Sequence, residues 1–376
     1  MKQILILGAG MIGSAIAFDL SSKYNVTVVD IDKIKLAKLA KKYSVKTICE
    51  DIANEITLKR TVKPYDLIIC AVPGFMGYKT LQNIIEAGKD VVDISFFAED
   101  PFTLDKLAKQ KKVTAVVDCG VAPGLSNIIL GHHNSKMKIE YFECLVGGLP
   151  FERELPFQYK APFSPVDVIE EYTRPARIVK NNKVIIKKAL SDVERVNIKN
   201  VGTLETFNTD GLRTLITTMK IPDMKEKTLR YPGHIEYINM LKQSGFFRED
   251  YVNVNGKKVR PIDVSAKLLL PLWHLNDEDK EFTVLKIIIR GKENNKRKEY
   301  KYHLFDQFDE NTRITSMART TGYTCSSVAR LLLDNQYSRK GISPPEFIGA
   351  NDKCYEKVIK DLEERKITLE PKERKT

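Results

Sequence analysis

The most chemically informative residues of this chain are three glycines that follow a short apolar run. Ile4–Leu7 predicts a buried strand, and the apolar face of Ser14–Leu20 predicts a helix. A strand that passes through GxGxxG into a helix is typical of a dinucleotide site, because the turn admits a pyrophosphate and the helix N-terminus offers unpaired N–H groups. The residues expected to contact the dinucleotide here are Gly8, Gly10, Met11, Ile12 and Gly13.

A carboxylate follows at the spacing that a ribose contact requires. The apolar run 26–29 ends at Asp30, seventeen positions after the last of these glycines, and a carboxylate roughly 20 residues on accepts the ribose hydroxyls. Asp30 and Asp32 would repel a 2′-phosphate, so we expect NAD rather than NADP. Lys33 and Lys35 lie close enough to weaken that preference.

The first third of the chain alternates between strand and helix signals. Such βαβ alternation predicts a Rossmann domain, a parallel sheet covered on both faces. Ligands of these sheets bind beyond the carboxyl ends of the strands. This rule adds five predicted cofactor contacts at strand ends: Asp51, Ala71, Val72, Pro73 and Asp93.

The pattern changes after about residue 125, where short strands and turn signals predict an α+β domain with a largely antiparallel sheet. An amphipathic helix near the C-terminus, Asn351–Arg365, is expected to return to the Rossmann domain. The overall prediction is an α/β fold with a dinucleotide domain at 1–124, a substrate and dimerisation domain at 125–333, and a C-terminal segment at 334–376.

Three later motifs combine charged groups with loop-to-helix transitions. They are Asp118–Asn127 (DCGVAPGLSN), Thr209–Arg213 (TDGLR) and Arg230–His234 (RYPGH). Asp118 and His234 are candidate general bases, and the candidate substrate contacts are Gly120, Val121, Asn127, Asp210, Arg213 and Arg230. For Asp210 a helix N-cap is an equally good interpretation.

Composition excludes several classes of protein. The net charge is +12, but the lysines are spread over helix faces and turns, so no nucleic-acid partner is expected. No run approaches about 18 apolar residues, so no membrane span is expected. Six cysteines are scattered without CxxC spacing, which favours reduced thiols in a cytoplasmic protein. His132 and His133 lack a metal-ligand frame, so no metal is expected.

Together these motifs resemble the saccharopine dehydrogenase-like family, and within it most closely the L-lysine 6-dehydrogenase group. The resemblance runs in order over nearly the whole chain and includes GAGMIG, DCGVAPGLSN, VGGLP, TLETFNTDGLRTL, TLRYPGH, SMARTTGYTCSSVARLLL and GISPPEFIG. The resemblance implies that NAD oxidises an amine-bearing carbon of an amino-acid substrate. It also implies that the protein is a homodimer.

Such a reaction requires an uncharged amine and therefore a general base near neutrality. Arg213 and Arg230 are the arginines expected to bind the α-carboxylate of the substrate through paired hydrogen bonds. Asp93 and Glu205 are possible ammonium partners.

Two alternatives stay open. A saccharopine- or carboxyspermidine-type dehydrogenase would be favoured if Arg153 or Arg174 joined the arginines of the cleft. A non-catalytic NAD-binding regulator would use the same fold as a sensor.

Overall fold

The computed structural model describes residues 1–163, 165–276 and 278–375. They form two units. The first contains residues Met1–Ile139, Gly291–Arg297 and Met317–Thr368, and the second contains the remainder. The predicted boundary at residue 124 therefore falls inside the first unit, which also takes in most of the helix Ser316–Leu333.

The elements of the first 134 residues alternate along the chain as predicted. They are β1 (Gln3–Leu7), α1 (Met11–Ser21), β2 (Asn25–Asp30), α2 (Lys33–Lys42), β3 (Lys46–Cys49), α3 (Glu55–Val62), β4 (Leu67–Cys70), α4 (Gly74–Glu86), β5 (Val91–Asp93), α5 (Asp105–Gln110), β6 (Thr114–Val116) and α6 (Leu125–Asn134).

Longer strands and several short helices follow. They are β7 (Lys138–Pro150), α7 (Pro165–Thr173), β8 (Ala176–Lys180), β9 (Lys183–Lys187), β10 (Glu194–Ile198), β11 (Gly202–Asn208), α8 (Leu215–Thr218), β12 (Asp223–Arg230), α9 (His234–Gln243), β13 (Val252–Val254), β14 (Lys257–Val259), α10 (Pro261–Leu272), β15 (Glu281–Glu293) and β16 (Lys296–Gln307). The last elements are α11 (Ser316–Leu333), β17 (Gly341–Ser343), α12 (Pro345–Gly349), α13 (Asp352–Glu364) and β18 (Glu370–Lys375).

The first unit is built on a sheet of seven strands among the described residues, in the order β3-β2-β1-β4-β5-β6-β17. Its neighbouring strands run parallel, which confirms the predicted parallel sheet. The strand order reverses between β1 and β4, and ligands of such sheets bind at this point.

The C-terminal helix returns to this first unit, as predicted, and the strand β17 before it completes the first sheet, whereas residues from Leu369 onward belong to the second unit. β17 pairs with β6, with Gly341 opposite Thr114, and α12 packs on α6. Two glycines permit this packing, because a Cβ at Gly131 would clash with the Glu346 carbonyl and one at Gly349 with the Ile128 carbonyl. The helix α11 joins the same unit, since Gly322 lets it lie close to Ile16 of α1.

A buried charge cluster links α1 to the C-terminal helices. The Asp19 carboxylate accepts a hydrogen bond from Arg330 at 2.8 Å and another from Arg365 at 2.5 Å. Arg330 and Asp361 are also buried, and Lys357 donates to Asp361 at 2.8 Å. Each buried charge has lost its hydration, so its stability in the folded protein depends on the opposite charges beside it.

The second unit contains a mixed sheet in the order β10-β11-β12-β7-β15-β16-β18, with β8 and β9 joined at β12. Strand β12 runs parallel to β7 and antiparallel to β11 and β8. Antiparallel pairing also joins β10 to β11 and β16 to β18. Its apolar core includes Tyr172, Phe207, Leu229, Trp273 and Phe282. Within the described part of the chain, no helix combines the length and apolarity that crossing a membrane needs.

Replacing Asp19 with Ala should destabilise the first unit by about 3–5 kcal/mol, because the substitution leaves the buried Arg330 and the partly buried Arg365 without their carboxylate. Denaturant unfolding measures this change. Lys79→Ala removes an exposed ion pair to Glu55 at 3.6 Å and should cost less than about 1 kcal/mol. Equal effects of the two substitutions would contradict the role given to Asp19.

Candidate functional site

The glycine turn is fixed by close backbone packing. Gly8 has a φ of +109°, and a Cβ there would clash with the Ala71 carbonyl. A Cβ at Gly13 would clash with the Gly8 carbonyl. The N-terminus of α1 therefore lies directly against the ends of β1 and β4, which only glycine allows at these two positions.

Gly10 is different, because its surroundings are open. No atom of the described residues, its chain neighbours aside, lies within 4 Å of where its Cβ would be. Gly10 is the N-cap of α1, and no side chain of the described residues caps the helix. Beside it, Met11 is 37% exposed. Open space in front of uncapped N–H groups fits a pyrophosphate.

Asp30 holds this loop from the end of β2. Its Oδ2 accepts a hydrogen bond from the Ala9 N–H at 2.7 Å, and its Oδ1 accepts one from the Asp32 N–H at 2.9 Å. Asp32 in turn caps α2 by accepting from the N–H groups of Ile34 and Lys35. The Asp30 carboxylate thus lies beside the glycine turn, where the ribose contact was predicted.

The other predicted cofactor contacts lie along the carboxyl edge of the sheet. Ala71 continues β4 by donating its N–H to Leu7 at 2.9 Å, and Pro73 is the exposed N-cap of α4. Val72 between them is buried. Asp51 lies beyond the edge strand β3, where its exposed carboxylate accepts from the Ala53 N–H at 2.9 Å.

Asp93 is fully buried, although the sequence suggested a cofactor or ammonium contact. It accepts hydrogen bonds from the Ser95 N–H at 3.0 Å and the Ser95 hydroxyl at 2.8 Å. Burial raises the pKa of this carboxyl to about 7. A Cβ at Gly77 of α4 would clash with the Ser95 hydroxyl, so α4 encloses the pair. The Asp93 side chain is therefore not positioned to contact a ligand directly.

The segment after β6 forms a closed turn. Asp118 is buried and has a φ of +54°, which is uncommon for a residue with a side chain and is found at functional sites. The next residue, Cys119, donates its N–H to the Asp93 carbonyl at 3.0 Å. Gly120 donates to the Pro123 carbonyl at 3.0 Å, and Val121 is buried. Asp118 and Asp93 are therefore neighbours at the carboxyl edge.

Asn127, a predicted substrate contact, serves the packing of α6 instead. Its amide oxygen accepts from the Gly124 N–H at 3.2 Å, and its Nδ2 donates to Glu346 at 3.0 Å. The side chain has no exposed surface. The motif had the composition of a binding loop, but its asparagine joins α6 to α12, a contact across 219 sequence positions.

In the second unit, Arg230 and His234 meet through a tyrosine. The Arg230 Nε donates to the Tyr172 hydroxyl at 3.2 Å, and that hydroxyl lies 2.8 Å from the His234 Nε2. The His234 Nδ1 lies 2.8 Å from the Phe157 carbonyl. A carbonyl only accepts, so Nδ1 carries the proton and Nε2 accepts from Tyr172.

This network leaves His234 neutral. Burial, together with the Arg230 charge, lowers its pKa to about 3, and burial raises the pKa of Tyr172 to about 12. His234 has no exposed surface and both ring nitrogens are engaged. The sequence marked His234 as a base because its partners could not be seen, and the structure gives it a structural environment.

Arg230 is likewise bound by groups of the protein. It donates to Glu171 at 2.8 Å, to Tyr159 at 3.3 Å and to the Leu229 carbonyl at 2.9 Å. Its guanidinium lies 4.3 Å from the centre of the Tyr159 ring. Only 2% of Arg230 is exposed, so it is built into the core rather than presented as a carboxylate fork.

The remaining predicted residues of this unit lie around other partners. Asp210 accepts two bonds from the Arg177 guanidinium, both at 2.8 Å, and it is not an N-cap because the next helix, α8, begins at Leu215. Arg213 is buried with a φ of +49°. Glu205 accepts from the Gly233 N–H at 3.1 Å and thereby holds the turn before α9.

Sequence reasoning missed the residues that complete these networks, namely Tyr159, Glu171, Tyr172 and Arg177. None of them lies in a motif, and each reaches its partner across at least 33 positions. No sequence signal was available beyond their polar or aromatic character in segments of mixed composition.

Comparison with known proteins identifies the family. Residues 4–116 match the saccharopine dehydrogenase NADP binding domain, and residues 120–367 match the saccharopine dehydrogenase C-terminal domain. The chain therefore belongs to the saccharopine dehydrogenase family, as the sequence motifs predicted. The first unit contains its pyridine-nucleotide-binding domain.

Curated relatives are longer than this chain. It is 26% identical over 195 residues to the mitochondrial alpha-aminoadipic semialdehyde synthase of Rattus norvegicus, which covers 49% of the chain and 21% of that protein. It is 23% identical over 265 residues to an L-glutamate-forming, NADP(+) saccharopine dehydrogenase of Pyricularia oryzae, which covers 66% and 59%. The matches thus span between about a fifth and three fifths of these relatives.

Solved structures share the fold over the whole chain. The apo saccharopine dehydrogenase (L-Glu forming) of Saccharomyces cerevisiae matches with a TM-score of 0.80 and 18% identity, covering 100% of both chains. The homospermidine synthase of Legionella pneumophila, in complex with NAD, matches with a TM-score of 0.70 and 14% identity, covering 100% of this chain and 92% of that one.

The buried His234 predicts a pH dependence of stability. In the folded protein its pKa is about 3, against an ordinary value of 6.5, so the unfolded chain binds more protons between these values. Stability should therefore fall as the pH drops from 6.5 towards 3. The variant His234→Gln should lose less stability over this range in urea unfolding.

The matched control is His274→Gln, at an exposed position of the same unit. It should leave the pH dependence as in the unsubstituted protein. If His234→Gln behaves like this control, His234 is not the neutral buried group that its hydrogen bonds indicate.

Proposed function

We propose that this chain is a NAD-dependent dehydrogenase that oxidises an amine-bearing carbon of an amino acid. The observation that carries the proposal is the open, uncapped helix N-terminus at Gly10 with the Asp30 carboxylate beside it. Residues 120–367 support the substrate class, since they match the saccharopine dehydrogenase C-terminal domain.

NAD fits the first unit better than NADP does. Asp30 ends β2 beside the glycine turn, and a carboxylate at this position favours the ribose hydroxyls over a 2′-phosphate. The Lys35 Nζ lies 3.7 Å from the Asp32 carboxylate, so Asp32 partly neutralises this lysine. NAD in the Legionella pneumophila homospermidine synthase supports the same preference.

When bound, the nicotinamide supplies the acceptor for the hydride. The protein must keep the substrate amine uncharged, because an ammonium nitrogen has no lone pair to stabilise the cation that develops. Of the two candidate bases, Asp118 is the better supported. It lies at the carboxyl edge of the nucleotide-binding sheet, whereas both nitrogens of His234 are engaged and its pKa is lowered to about 3.

L-Lysine, oxidised at its ε-carbon to 2-aminoadipate 6-semialdehyde, is the substrate that we propose. In the second unit, Arg174, Arg177 and Arg230 each pair with a carboxylate of the protein, respectively Glu170, Asp210 and Glu171. Arginines that are already paired with carboxylates of the protein have fewer donors left for substrate carboxylates. This arrangement favours a substrate with one carboxylate over a dicarboxylate conjugate.

A saccharopine-type substrate is the second candidate. The observation that favours it is the name of the relatives, since a saccharopine dehydrogenase matches 66% of the chain. For this substrate, Arg153 would have to contribute, and it now donates to Gln158 at 2.7 Å and lies 4.5 Å from the Tyr231 ring centre. A ligand could replace that exchangeable amide contact.

A homodimer and a cytoplasmic location stay predictions from the sequence. The first is supported by a stripe of exposed apolar residues on α10: Val264, Leu268 and Leu272 are 45%, 62% and 55% exposed. The second is supported by buried thiols at Cys70 and Cys119. Sedimentation equilibrium would test the dimer.

The proposed reaction predicts that a substrate reduces NAD. A screen of amino acids, saccharopine and polyamines, with NADH measured by its absorbance, would identify that substrate. Activity with lysine would support the leading proposal. Activity with saccharopine but not lysine would replace it with the second candidate. Nucleotide binding without turnover of any compound would favour a non-catalytic regulator.

The cofactor preference makes a separate prediction. Asp30→Asn keeps an oxygen that can accept from the Ala9 N–H but removes the charge. NAD should bind about tenfold more weakly, because a hydrogen bond to a charged group contributes about 1.5 kcal/mol or more, and discrimination against NADP should decrease.

Asp66→Asn is the matched control, since the Asp66 carboxylate also accepts a backbone N–H, that of Gln3, at 2.7 Å. Asp66 precedes β4 and therefore lies at the amino ends of the strands, away from the glycine turn. Isothermal titration measures both nucleotides. Unchanged affinities in Asp30→Asn would show that Asp30 is not the ribose ligand.

A further inference from the structure

Asp93 is a buried carboxyl group for which the proposed reaction has no use. It ends β5, next to β4 and β6 in the sheet, and has no exposed surface. A carboxyl group in such a place is costly when ionised and is retained only where its environment compensates. Its position rather than its exposure suggests what it does.

The sheet order assigns Asp93 to one half of the nucleotide site. The glycine turn and Asp30 belong to the half built on β1, β2 and β3, which takes the adenosine part of a dinucleotide. The second half, built on β4, β5 and β6, takes the nicotinamide part. Asp93 lies at the carboxyl end of the middle strand of this second half.

The groups that face Asp93 come from four parts of the unit. The Ser95 hydroxyl donates to it at 2.8 Å, and the Cys70 thiol at the end of β4 hydrogen-bonds to it. Asp118, which follows β6, acts on it as a like charge. Burial raises the pKa of the Cys119 and Cys325 thiols, and the charge of Asp93 adds to that rise.

These neighbours place the ionisation of Asp93 near neutrality. Burial and the Asp118 charge raise its pKa to about 7, while the bonds from Cys70 and Ser95 oppose that rise. A small change in the local charge therefore changes how much of the carboxyl is protonated. The two redox forms of the cofactor differ by such a change, because the nicotinamide ring is cationic when oxidised and neutral when reduced.

We propose that Asp93 loses its proton when the oxidised cofactor binds and keeps it when the reduced cofactor binds. Binding of NAD⁺ would convert the carboxylic acid to a carboxylate and release one proton to solvent, and no other bond changes. Asp93 is then a positioning residue that acts through charge and touches neither ligand. The inference rests on the proposed function for the identity of the cofactor.

The experiment is isothermal titration of NAD⁺ and NADH into the whole chain, in paired buffers of different ionisation enthalpy. NAD⁺ should release a fraction of a proton around the pKa of about 7, and NADH should release less. The ratio of the two affinities should shift towards NAD⁺ as the pH rises from about 6 to about 8, by up to about tenfold for a coupling of one pKa unit.

Three variants and a control make the test specific. Asp93→Asn should abolish the pH dependence of the ratio. Ser95→Ala removes a bond that lowers the Asp93 pKa, so its transition should move to higher pH, and Asp118→Asn removes a like charge and should move it to lower pH. The control is Glu99→Gln, at an exposed position six residues after Asp93. It should change neither the pH dependence of the affinity ratio nor the pH of its transition.

The outcomes separate this inference from the proposed function. If the chain binds neither nucleotide, the proposed function fails. If it binds both with a ratio that does not change with pH, or if Asp93→Asn keeps the pH dependence, Asp93 has no such role and the dehydrogenase proposal still stands. Opposite shifts in Ser95→Ala and Asp118→Asn would support the inference even if Asp93→Asn does not fold.

Discussion

The contact between the glycine turn and the ends of β1 and β4 is the constraint on which the first unit depends. Side chains at Gly8 and Gly13 would overlap carbonyl groups, so the helix α1 can approach the sheet only with glycine at both positions. This approach brings the helix N-terminus to the point where the strand order reverses. Asp30 then fixes the loop through the Ala9 N–H. The contacts that pack α1 against the sheet are therefore also the contacts that shape the nucleotide site.

Charged side chains at the edge of the first sheet differ in their surroundings from those in the core of the second unit. At the edge of the first sheet, Asp30 is partly exposed and Gly10 is open, so this site is suited to a ligand. In the second unit, buried cations are paired with carboxylates of the protein, as Arg230 is with Glu171. Neutralisation of this kind is needed because an unpaired buried charge costs several kcal/mol. It also limits which side chains are left for substrate anions.

Local pattern was enough to predict the parallel sheet, the glycine turn and the position of Asp30, because the strand, turn and helix signals behind these predictions depend on residues close in sequence. The environment of His234 could not be predicted, since its partners Tyr172 and Phe157 lie 62 and 77 positions away. Asn127 and Glu346 illustrate the same limit across 219 positions. A motif shows which chemistry a side chain has, but burial and distant partners determine whether that chemistry is exposed.

The pairing of β17 with β6 has a consequence for synthesis of the chain. Residues 1–139 are made before residues 341–343, so their sheet lacks its last strand until residue 343 has been made. Meanwhile the free edge of β6 can pair with other strands, and the Asp19 carboxylate has no arginine partners. The first unit is therefore completed only after the second unit's strands have been made, and its exposed edge during that interval makes it prone to aggregation.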